Sequence, residues 1–418
     1  MPDKLNLKNS FKLYEEALEL IPGAILGIRR PYNFVEGEYP IFFHTAKGGK
    51  VIDVDGNEYM DHLCAYGPII IGHREEEIDN AVMDQIQNHG FCMSLTQPVQ
   101  NELGKVLREL IPCAEKMVFM KMGSDATTAA IRVARAYTRR EKILKTLTYA
   151  GWHDWSSDVY GIDAGIPDKI RNDTIEFEFN NLPHLETTLK QHKDQIAAVF
   201  IAPIHTPGGN EVELPEPGYL RSVKQLAHEY GAICIFDEIR TGFRINMGGA
   251  QKEFGVIPDL ACFGKAMGNG YPISTLVGKA EIMDVLEHNV FLSSTFFPNS
   301  LSQIASLKTI NFMQKNDVIN TIKNRGSVLE KKIQESIDSS GVPAVYSGGA
   351  SMPYITFRRD EQKLYKTLRE EFYRQLIRRK VFLQPYHHGY ICYRHTKEDL
   401  EYTATMIDES LNETKRLM

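Results

Sequence analysis

The chain has 418 residues and a net charge of −6, and 43% of its residues are apolar. The length allows two domains or one large domain with a satellite, and the composition is that of a soluble globular protein. The charge gives no basic bias toward a nucleic-acid partner. Because no apolar run could cross a bilayer and the first 20 residues lack a signal core, we expect a cytoplasmic protein with no membrane partner.

The cysteines are scattered and include no C-x-x-C pair; they are Cys64, Cys92, Cys113, Cys234, Cys262 and Cys392. Cys234 and Cys262 fall inside apolar runs, where a cysteine usually packs as a small hydrophobic residue. We therefore expect neither a disulfide framework nor a bound metal.

The N-terminal region reads as an amphipathic helix over residues 5–20, followed by a loop that contains Arg29 and Arg30. Two adjacent arginines in a loop are usually solvated, but their guanidinium forks also match a carboxylate. Residues 41–59 read as strands, with a hairpin signal at Asp55-Gly56. Farther on, a turn at Tyr66 leads toward helices at 75–88 and 100–110.

A strand at 118–120 is followed by Gly123-Ser124 and a helix over 128–137. Backbone N–H groups and a hydroxyl at the start of a helix can bind a phosphate-sized anion. An ordinary helix cap explains the same residues, because Ser and Asp are preferred capping residues. The nucleotide-binding patterns G-x-x-x-x-G-K-[ST] and G-x-G-x-x-G are both absent from the corresponding positions.

Two short apolar runs, 232–236 and 260–264, are typical of buried parallel strands and end at Asp237 and Lys265. Ligands of open α/β sheets bind outside the carboxyl ends of such strands. An acid there can pair with a pyridinium nitrogen, and a lysine can form a Schiff base with an aldehyde. Taken alone, the two residues are better explained as a strand cap and a surface lysine.

The loop 149–155 contains both tryptophans of the chain, which could stack on a flat cofactor or form the hydrophobic core of the loop. From about residue 302 the chain reads as a separate α+β domain, with strands at 353–358, 381–384 and 390–393. We therefore predict three segments: 1–60 joining a small domain, 61–301 as the large domain, and 302–418 as the C-terminal small domain.

Several motifs in this order resemble the class III pyridoxal-phosphate (PLP) aminotransferases, and in particular the glutamate-1-semialdehyde aminomutase branch. They are AKGGKVIDVDGNEYMD, GPIIIGH, MGSDATTAAIRVARAYT, YAGWHDW, FDEIRTGFR, PDLACFGK and the terminal HTKEDLEYT. The resemblance implies an α/β protein of fold type I, like aspartate aminotransferase. Its large domain would hold a mostly parallel central sheet, and both termini would form the smaller α+β domain.

The resemblance implies that Lys265 forms the Schiff base with PLP and then moves a proton between the substrate carbon and the cofactor. Asp237 would keep the pyridine nitrogen protonated, which makes the ring an electron sink. Glu238 matches an acid that lies near the phenolic oxygen of the cofactor in this family.

Further positions are implied to contact the cofactor. Ile239 and Tyr149 would cover the two faces of the ring, and Gly123 and Ser124 would hold the phosphate. Thr295 matches a threonine that reaches the phosphate in the neighbouring subunit, so the resemblance implies a homodimer with shared active sites.

Substrate contacts are implied for Arg30, which falls where the aminomutase holds a carboxylate, and for Tyr66, which replaces a tryptophan of that pocket. Arg394 stands where the family usually has a small residue and is a further candidate for an acid group. The sequence does not decide between Arg30 and Arg394.

Departures from the aminomutase pattern lie mostly where substrate should bind. Residues 122–126 replace S-G-T-E-A, Ala150 replaces a histidine, and Ala202 replaces an acid before a proline. We therefore expect a PLP-dependent aminotransferase that moves an amino group from a donor such as glutamate to a biosynthetic carbonyl acceptor, through the pyridoxamine form of the cofactor.

The aminomutase is the alternative, and a requirement for a separate amino donor distinguishes the two. A non-catalytic scaffold is disfavoured by the presence of both Lys265 and Asp237. A nicotinamide oxidoreductase is disfavoured by the missing glycine motif. The sequence names neither the donor nor the acceptor.

Overall fold

The computed structural model describes residues 2–156 and 161–418. The chain divides into two compact units, and each contains separate stretches of sequence. The terminal unit comprises Met1–Glu75, Thr206–Val212 and Asn320–Met418, and the central unit comprises Glu76–His205 and Glu213–Ile319. No described helix combines the length and apolar character that crossing a membrane requires.

The central unit is built on one seven-stranded sheet. In spatial order its strands are Lys116–Met120, Ser274–Gly278, Leu260–Phe263, Ile233–Asp237, Ile196–Ile201, Lys142–Thr146 and Thr174–Phe177. The strand Ser274–Gly278 is antiparallel to both neighbours, and the other pairs are parallel. This arrangement confirms the predicted α/β class with a mostly parallel central sheet.

Helices flank this sheet. They are Glu76–Asp84, Val99–Leu110, Gly123–Thr138, Asp168–Asn172, Leu182–Gln191, Tyr219–Glu229, Ala250–Glu253, Ala280–Met283, Val285–His288 and Ser300–Lys315. The helix Gly123–Thr138 packs on several central strands. Half of its buried residues are alanine, and such small side chains let the helix backbone approach the strands closely.

The helix Ser300–Lys315 lies in the central unit, whereas the sequence placed the start of the small domain at residue 302. It packs on the helices Glu76–Asp84 and Val99–Leu110. Serine, threonine and glutamine are buried on it beside the apolar residues, so its sequence looks polar although most of the helix is inside. The structure accordingly divides the chain at 319/320.

The terminal unit contains two sheets. Three antiparallel strands, Phe43–Lys47, Lys50–Asp53 and Glu58–Asp61, are joined by Val381–Phe382, which runs parallel to Glu58–Asp61. The second sheet pairs Ala344–Ser347 with Tyr354–Phe357. The helices of this part of the chain are Lys8–Leu20, Val318–Ser340, Leu364–Arg378 and Lys397–Lys415.

The strand predicted at residues 390–393 is wrong, because this segment has no strand partner in the structure. Its backbone N–H groups bond to three different segments: Tyr390 to the carbonyl of His62, Ile391 to that of Ser351, and Tyr393 to that of Ile70. A buried, β-branched and aromatic run therefore has its hydrogen bonds satisfied without a regular ladder.

At the end of the central sheet opposite to Asp237, a buried carboxylate connects several segments by hydrogen bonds. Asp259, which is 2% exposed, accepts hydrogen bonds from the backbone N–H of Cys234 (2.8 Å), from His228 Nε2 (2.7 Å) and from Lys279 Nζ (2.7 Å). Burial acts to raise the pKa of Asp259, but these hydrogen bonds outweigh it and hold that pKa below its usual value. Folding therefore favours the ionised form.

We predict that Asp259→Asn lowers the free energy of unfolding by about 2–4 kcal/mol at neutral pH, because buried donors lose a charged acceptor. Because the folded state depresses this pKa, the contribution is present above about pH 4 and is lost as the pH falls further. Urea unfolding of both proteins across this range measures the difference, with Glu109→Gln, an exposed carboxylate, as the control. A gap that stays constant in acid would contradict the prediction.

Candidate active site

The register of two parallel strands places Asp237 and Lys265 at one edge of the central sheet. Asp237 is the last residue of its strand and is paired with Cys262 on the neighbouring strand, which ends at Phe263. Gly264 follows this strand, and Lys265 comes directly after Gly264. Its φ of +46° lies in the left-handed region, which a non-glycine residue adopts at a cost in energy and which is often found at functional sites.

A cavity of about 180 Å³ opens at this edge of the central unit. Most of the residues that the sequence predicted to bind the cofactor line this cavity. It is lined by Gly123, Ser124, Thr148, Tyr149, Ala150, Gly151, Ala202, Ile204, Asp237, Ile239, Arg240, Thr241 and Lys265. Candidates from four separate stretches of sequence therefore meet in one place.

Asp237 is buried, and burial raises its pKa to about 6. The backbone N–H of Ile239, which donates to Asp237 Oδ1 at 3.1 Å, and the positive charges of Arg240 and Lys265 act in the opposite direction. A buried carboxylate of this kind is stabilised by a cationic partner. A protonated ring nitrogen is such a partner.

The start of the helix Gly123–Thr138 forms a corner of the cavity whose chemistry suits an anion. The first backbone N–H groups of a helix have no partner within it, and its dipole favours negative charge. Ser124 Oγ lies beside these groups and accepts a hydrogen bond from the backbone N–H of Trp152 at 3.2 Å. Gly151 has a φ of +131°, and a Cβ added there would lie 2.8 Å from Ser124 Oγ, so the corner requires a glycine.

Ile239 and Tyr149 both line the cavity, as the two predicted ring contacts should. The side chain of Ile239 packs against two glycines. A Cβ added at Gly123 would lie 3.3 Å from this side chain, and a Cβ added at Gly264 would lie 3.1 Å from it. Tyr149 has 46% of its surface exposed, so the protein covers only part of this side chain.

Glu238 does not line this cavity, in contrast to the expectation that it lies near the cofactor. Its carboxylate is fully buried and accepts hydrogen bonds from the hydroxyl of Thr241 and from the backbone N–H groups of Ala250 (2.8 Å) and Gln251 (3.0 Å). Successive side chains of an extended segment point to opposite sides, so Glu238 faces away when Asp237 faces the cavity. Its contacts stabilise the segment 241–251, which ends in the first turn of the helix Ala250–Glu253.

Thr295 is outside the cavity and exposed on the central unit. The neighbouring aromatic side chains Phe291 and Phe296 are 81% and 59% exposed. Large apolar side chains that cluster on a surface often mark an interaction site.

The remaining candidates belong to the terminal unit. Tyr66 is buried, and the guanidinium of Arg29 lies 5.1 Å from the centre of its ring. Arg30 is half-buried, donates to the carbonyl of Ile25 at 3.1 Å and lies 3.4 Å from the hydroxyl of Tyr32. Both Arg29 and Tyr66 line an apolar cavity of about 230 Å³ in this unit.

Arg394 makes a two-pronged ion pair with Glu75, at 2.9 Å from Nε and 2.8 Å from Nη2. Hydrogen bonding to Glu75, with burial acting against it, raises the pKa of the guanidinium. A carboxylate of the protein therefore already fills the fork that a substrate acid would use.

The sequence reasoning missed two features. The first is Arg240, which lines the cavity and whose positive charge lowers the pKa of Asp237. Its position inside the motif FDEIRTGFR could have indicated this role. Cys64 and Cys392 come together with His395 in the terminal unit. About 330 residues separate the two cysteines, so no spacing motif could have shown this.

Comparison with known proteins agrees with this geometry. Residues 32–393 match the model of the family Aminotransferase class-III. The chain is 57% identical over 418 residues, covering 100% of both sequences, to the 3-aminobutyryl-CoA aminotransferase of Cloacimonas acidaminovorans (strain Evry). It is 34% identical over 427 aligned positions, 97% of this chain and 100% of the relative, to the glutamate-1-semialdehyde 2,1-aminomutase of Archaeoglobus fulgidus.

A solved structure of the FumI protein from Sphingopyxis sp. MTA144, in a PLP-bound form, superposes with a TM-score of 0.92 at 28% identity and covers 97% of this chain and 96% of that one. The chain therefore belongs to the class III aminotransferase family. It is a PLP-dependent aminotransferase of fold type I, and the aminomutases are its more distant relatives.

The cavity fits pyridoxal phosphate. A buried acid suits the ring nitrogen, a lysine lies at the same sheet edge, and a helix start next to an obligatory glycine suits the phosphate. When bound, the cofactor supplies an electron sink for the carbon that bears the amino group.

We predict that Gly151→Ala lowers the affinity for PLP by about tenfold or more, since left-handed strain and displacement of Ser124 cost about 1–3 kcal/mol. Fluorescence titration of the PLP-free protein with PLP measures this affinity. Gly255→Ala is the matched control, because Gly255 also has a positive φ but no atom within 4 Å of an added Cβ. Equal losses in the two variants would show that contact with Ser124 is unimportant.

Proposed function

We propose that this aminotransferase acts on a 3-aminoacyl coenzyme A thioester. The observation that carries the proposal is the 57% identity, over the full length of both chains, to a 3-aminobutyryl-CoA aminotransferase. Removal of the amino group turns carbon 3 into a carbonyl and gives a 3-oxoacyl thioester. In the reverse direction, glutamate supplies the amino group to that carbonyl and leaves as 2-oxoglutarate.

Each cavity residue has a role that its position supports. Lys265 holds the cofactor through its aldehyde, and its released amine moves the proton at the substrate carbon. Asp237 keeps a proton on the ring nitrogen, because a buried carboxylate is most stable next to a cation. Gly123 and Ser124 hold the phosphate, and Ile239 and Tyr149 cover the ring.

The substrate class agrees with the departures from the aminomutase pattern. A thioester has no free carboxylate at carbon 1, so this half of the reaction does not need the acid-binding groups of an aminomutase pocket. Glutamate does need such a group, and we assign this role to Arg30, with Tyr66 as a pocket wall. The guanidinium of Arg394 is already hydrogen-bonded to Glu75, so we assign Arg394 the role of holding Glu75 in place.

We further propose that the enzyme is a cytoplasmic homodimer in which Thr295 contacts the phosphate bound by the other subunit. Support comes from the exposure of Thr295, which is outside the cavity of its own chain, and from the exposed aromatic side chains Phe291 and Phe296 beside it. A symmetric dimer would cover this surface in both subunits at once.

The substrate is tested by mixing the PLP-loaded enzyme with one amine at a time and following the cofactor spectrum. We expect 3-aminobutyryl-CoA to react with a kcat/KM about 100-fold or more above that of free 3-aminobutyrate, because the coenzyme A portion supplies binding energy remote from the reacting carbon. Glutamate should react as well. Equal rates for the thioester and the free acid would overturn the proposed substrate class.

Lys265→Ala is the control for the chemistry in that experiment. It should lower the rate by about 10³-fold or more, because a positioned proton-transfer group is lost. Lys252→Ala, at an exposed lysine of the same unit, should leave the rate unchanged.

The shared site is tested by subunit complementation. Thr295→Ala should weaken PLP binding by about 10- to 100-fold, the effect of losing a hydrogen bond to a charged group. Mixed with Lys265→Ala subunits and reassociated, it should recover about a quarter of the wild-type activity, because half of the dimers carry one intact site.

Ser124→Ala is the matched control, because Ser124 lies in the same cavity as Lys265. A mixture of Ser124→Ala and Lys265→Ala subunits has no intact site and should recover nothing. Failure of the Thr295→Ala mixture to recover activity would contradict a role for Thr295 across the interface.

A further inference from the structure

Three ligand groups meet inside the terminal unit. They are the thiols of Cys64 and Cys392 and the imidazole of His395, and all three residues are fully or almost fully buried. One ligand atom from each, Sγ or a ring nitrogen, lies within 4.8 Å of the other two. None of these residues has a role in the aminotransferase mechanism above.

The imidazole of His395 is held in one orientation. Its Nε2 contacts the carbonyl of Gly49 at 3.2 Å, and its Nδ1 accepts a hydrogen bond from the backbone N–H of Cys392 at 3.1 Å. A Cβ added at Gly49 would lie 2.2 Å from the ring, so only glycine leaves room for it. Because Nε2 is directed at the carbonyl of Gly49, Nδ1 is the ring nitrogen left to bind a metal.

His395 makes the second hydrogen bond that orients most metal-binding histidines. Such a histidine donates its other ring N–H to a backbone carbonyl or a carboxylate, which fixes the tautomer and the ring direction. The contact between Nε2 and the carbonyl of Gly49 supplies this feature here. The carbonyl oxygen of Asp61, 3.2 Å from Cys64 Sγ, provides an oxygen donor at the same place.

We propose that Cys64, Cys392 and His395 form a binding site for a zinc ion. Two thiolates and a neutral imidazole are ligands that zinc prefers, and the two thiolate charges cancel the charge of the ion in a buried site. The carbonyl of Asp61 takes the fourth position. Binding exchanges the hydrogen bond between Nδ1 and the N–H of Cys392 for a bond to the metal.

The separations are compatible with zinc after a small adjustment. Bonds of about 2.3 Å to sulfur and about 2.0 Å to nitrogen place tetrahedral ligands about 3.5 Å apart. A cluster whose ligand atoms lie within 4.8 Å of one another therefore contracts by about 1.3 Å at most.

The site would fix a strained part of the chain. Cys64, Ala65 and Tyr66 have φ values of +46°, +54° and +67°, all in the left-handed region. Such a run is costly for non-glycine residues and needs support from its surroundings. The metal would tie the first of these residues to the segment 392–395, and so would help to hold Tyr66, the proposed pocket wall.

The test uses the PLP-loaded protein after treatment with a chelator, followed by titration with zinc chloride and, separately, with cobalt chloride. We expect one tightly bound zinc per chain by elemental analysis. Cobalt should give a thiolate charge-transfer band and the visible bands of a tetrahedral site, seen as a difference from the spectrum of the PLP-loaded protein without cobalt. Absence of the thiolate band in the folded wild-type protein would overturn the proposal.

Cys64→Ser and Cys392→Ser should each lower zinc affinity tenfold or more and remove intensity from the thiolate band. Cys234→Ser is the matched control, since Cys234 is a buried thiol in the central sheet, and it should bind zinc like the wild type. Unchanged zinc affinity in both cluster variants would also overturn the proposal. Because the readout is metal content and spectrum, a failure of the proposed substrate does not affect the result.

Discussion

The proposed active site depends on the pairing of two parallel strands, Ile233–Asp237 and Leu260–Phe263. Because Asp237 lies opposite Cys262, the acid and Lys265 come out at the same edge of the sheet. A shift of one residue in this pairing would turn every side chain of one strand to the other face. Both strands are buried along their whole length, so packing on both sides fixes the register.

The residues proposed to hold the cofactor line one cavity and come from different elements, each of them at or after the end of a strand. Gly123 and Ser124 follow a strand and begin a helix, Tyr149 lies in the loop after another strand, and Asp237 ends a third. The carboxyl ends of parallel strands supply these positions, while the opposite end is closed by Asp259 and its three donors. The proposed site and the hydrogen-bonded carboxylate of Asp259 thus lie at opposite ends of one sheet.

Much of this site could be predicted because its signals are local. The apolar runs before Asp237 and Lys265 and the glycine and serine at a helix start are visible within a few residues. The ion pair of Arg394 with Glu75 could not be predicted, because the two residues are more than 300 positions apart in the sequence. The same limit explains the wrong strand at 390–393, whose backbone partners belong to three distant segments, and the missed meeting of Cys64 with Cys392.

The interleaved order of the two units has a consequence for synthesis on the ribosome. All seven strands of the central sheet lie between residues 116 and 278, so that sheet can form while more than a hundred residues are still to be made. The strand Glu58–Asp61 can pair early with Lys50–Asp53, but its other partner, Val381–Phe382, is made much later. Until then the first 75 residues lack their C-terminal partners, and that interval is when the nascent chain is most exposed to aggregation and to chaperones.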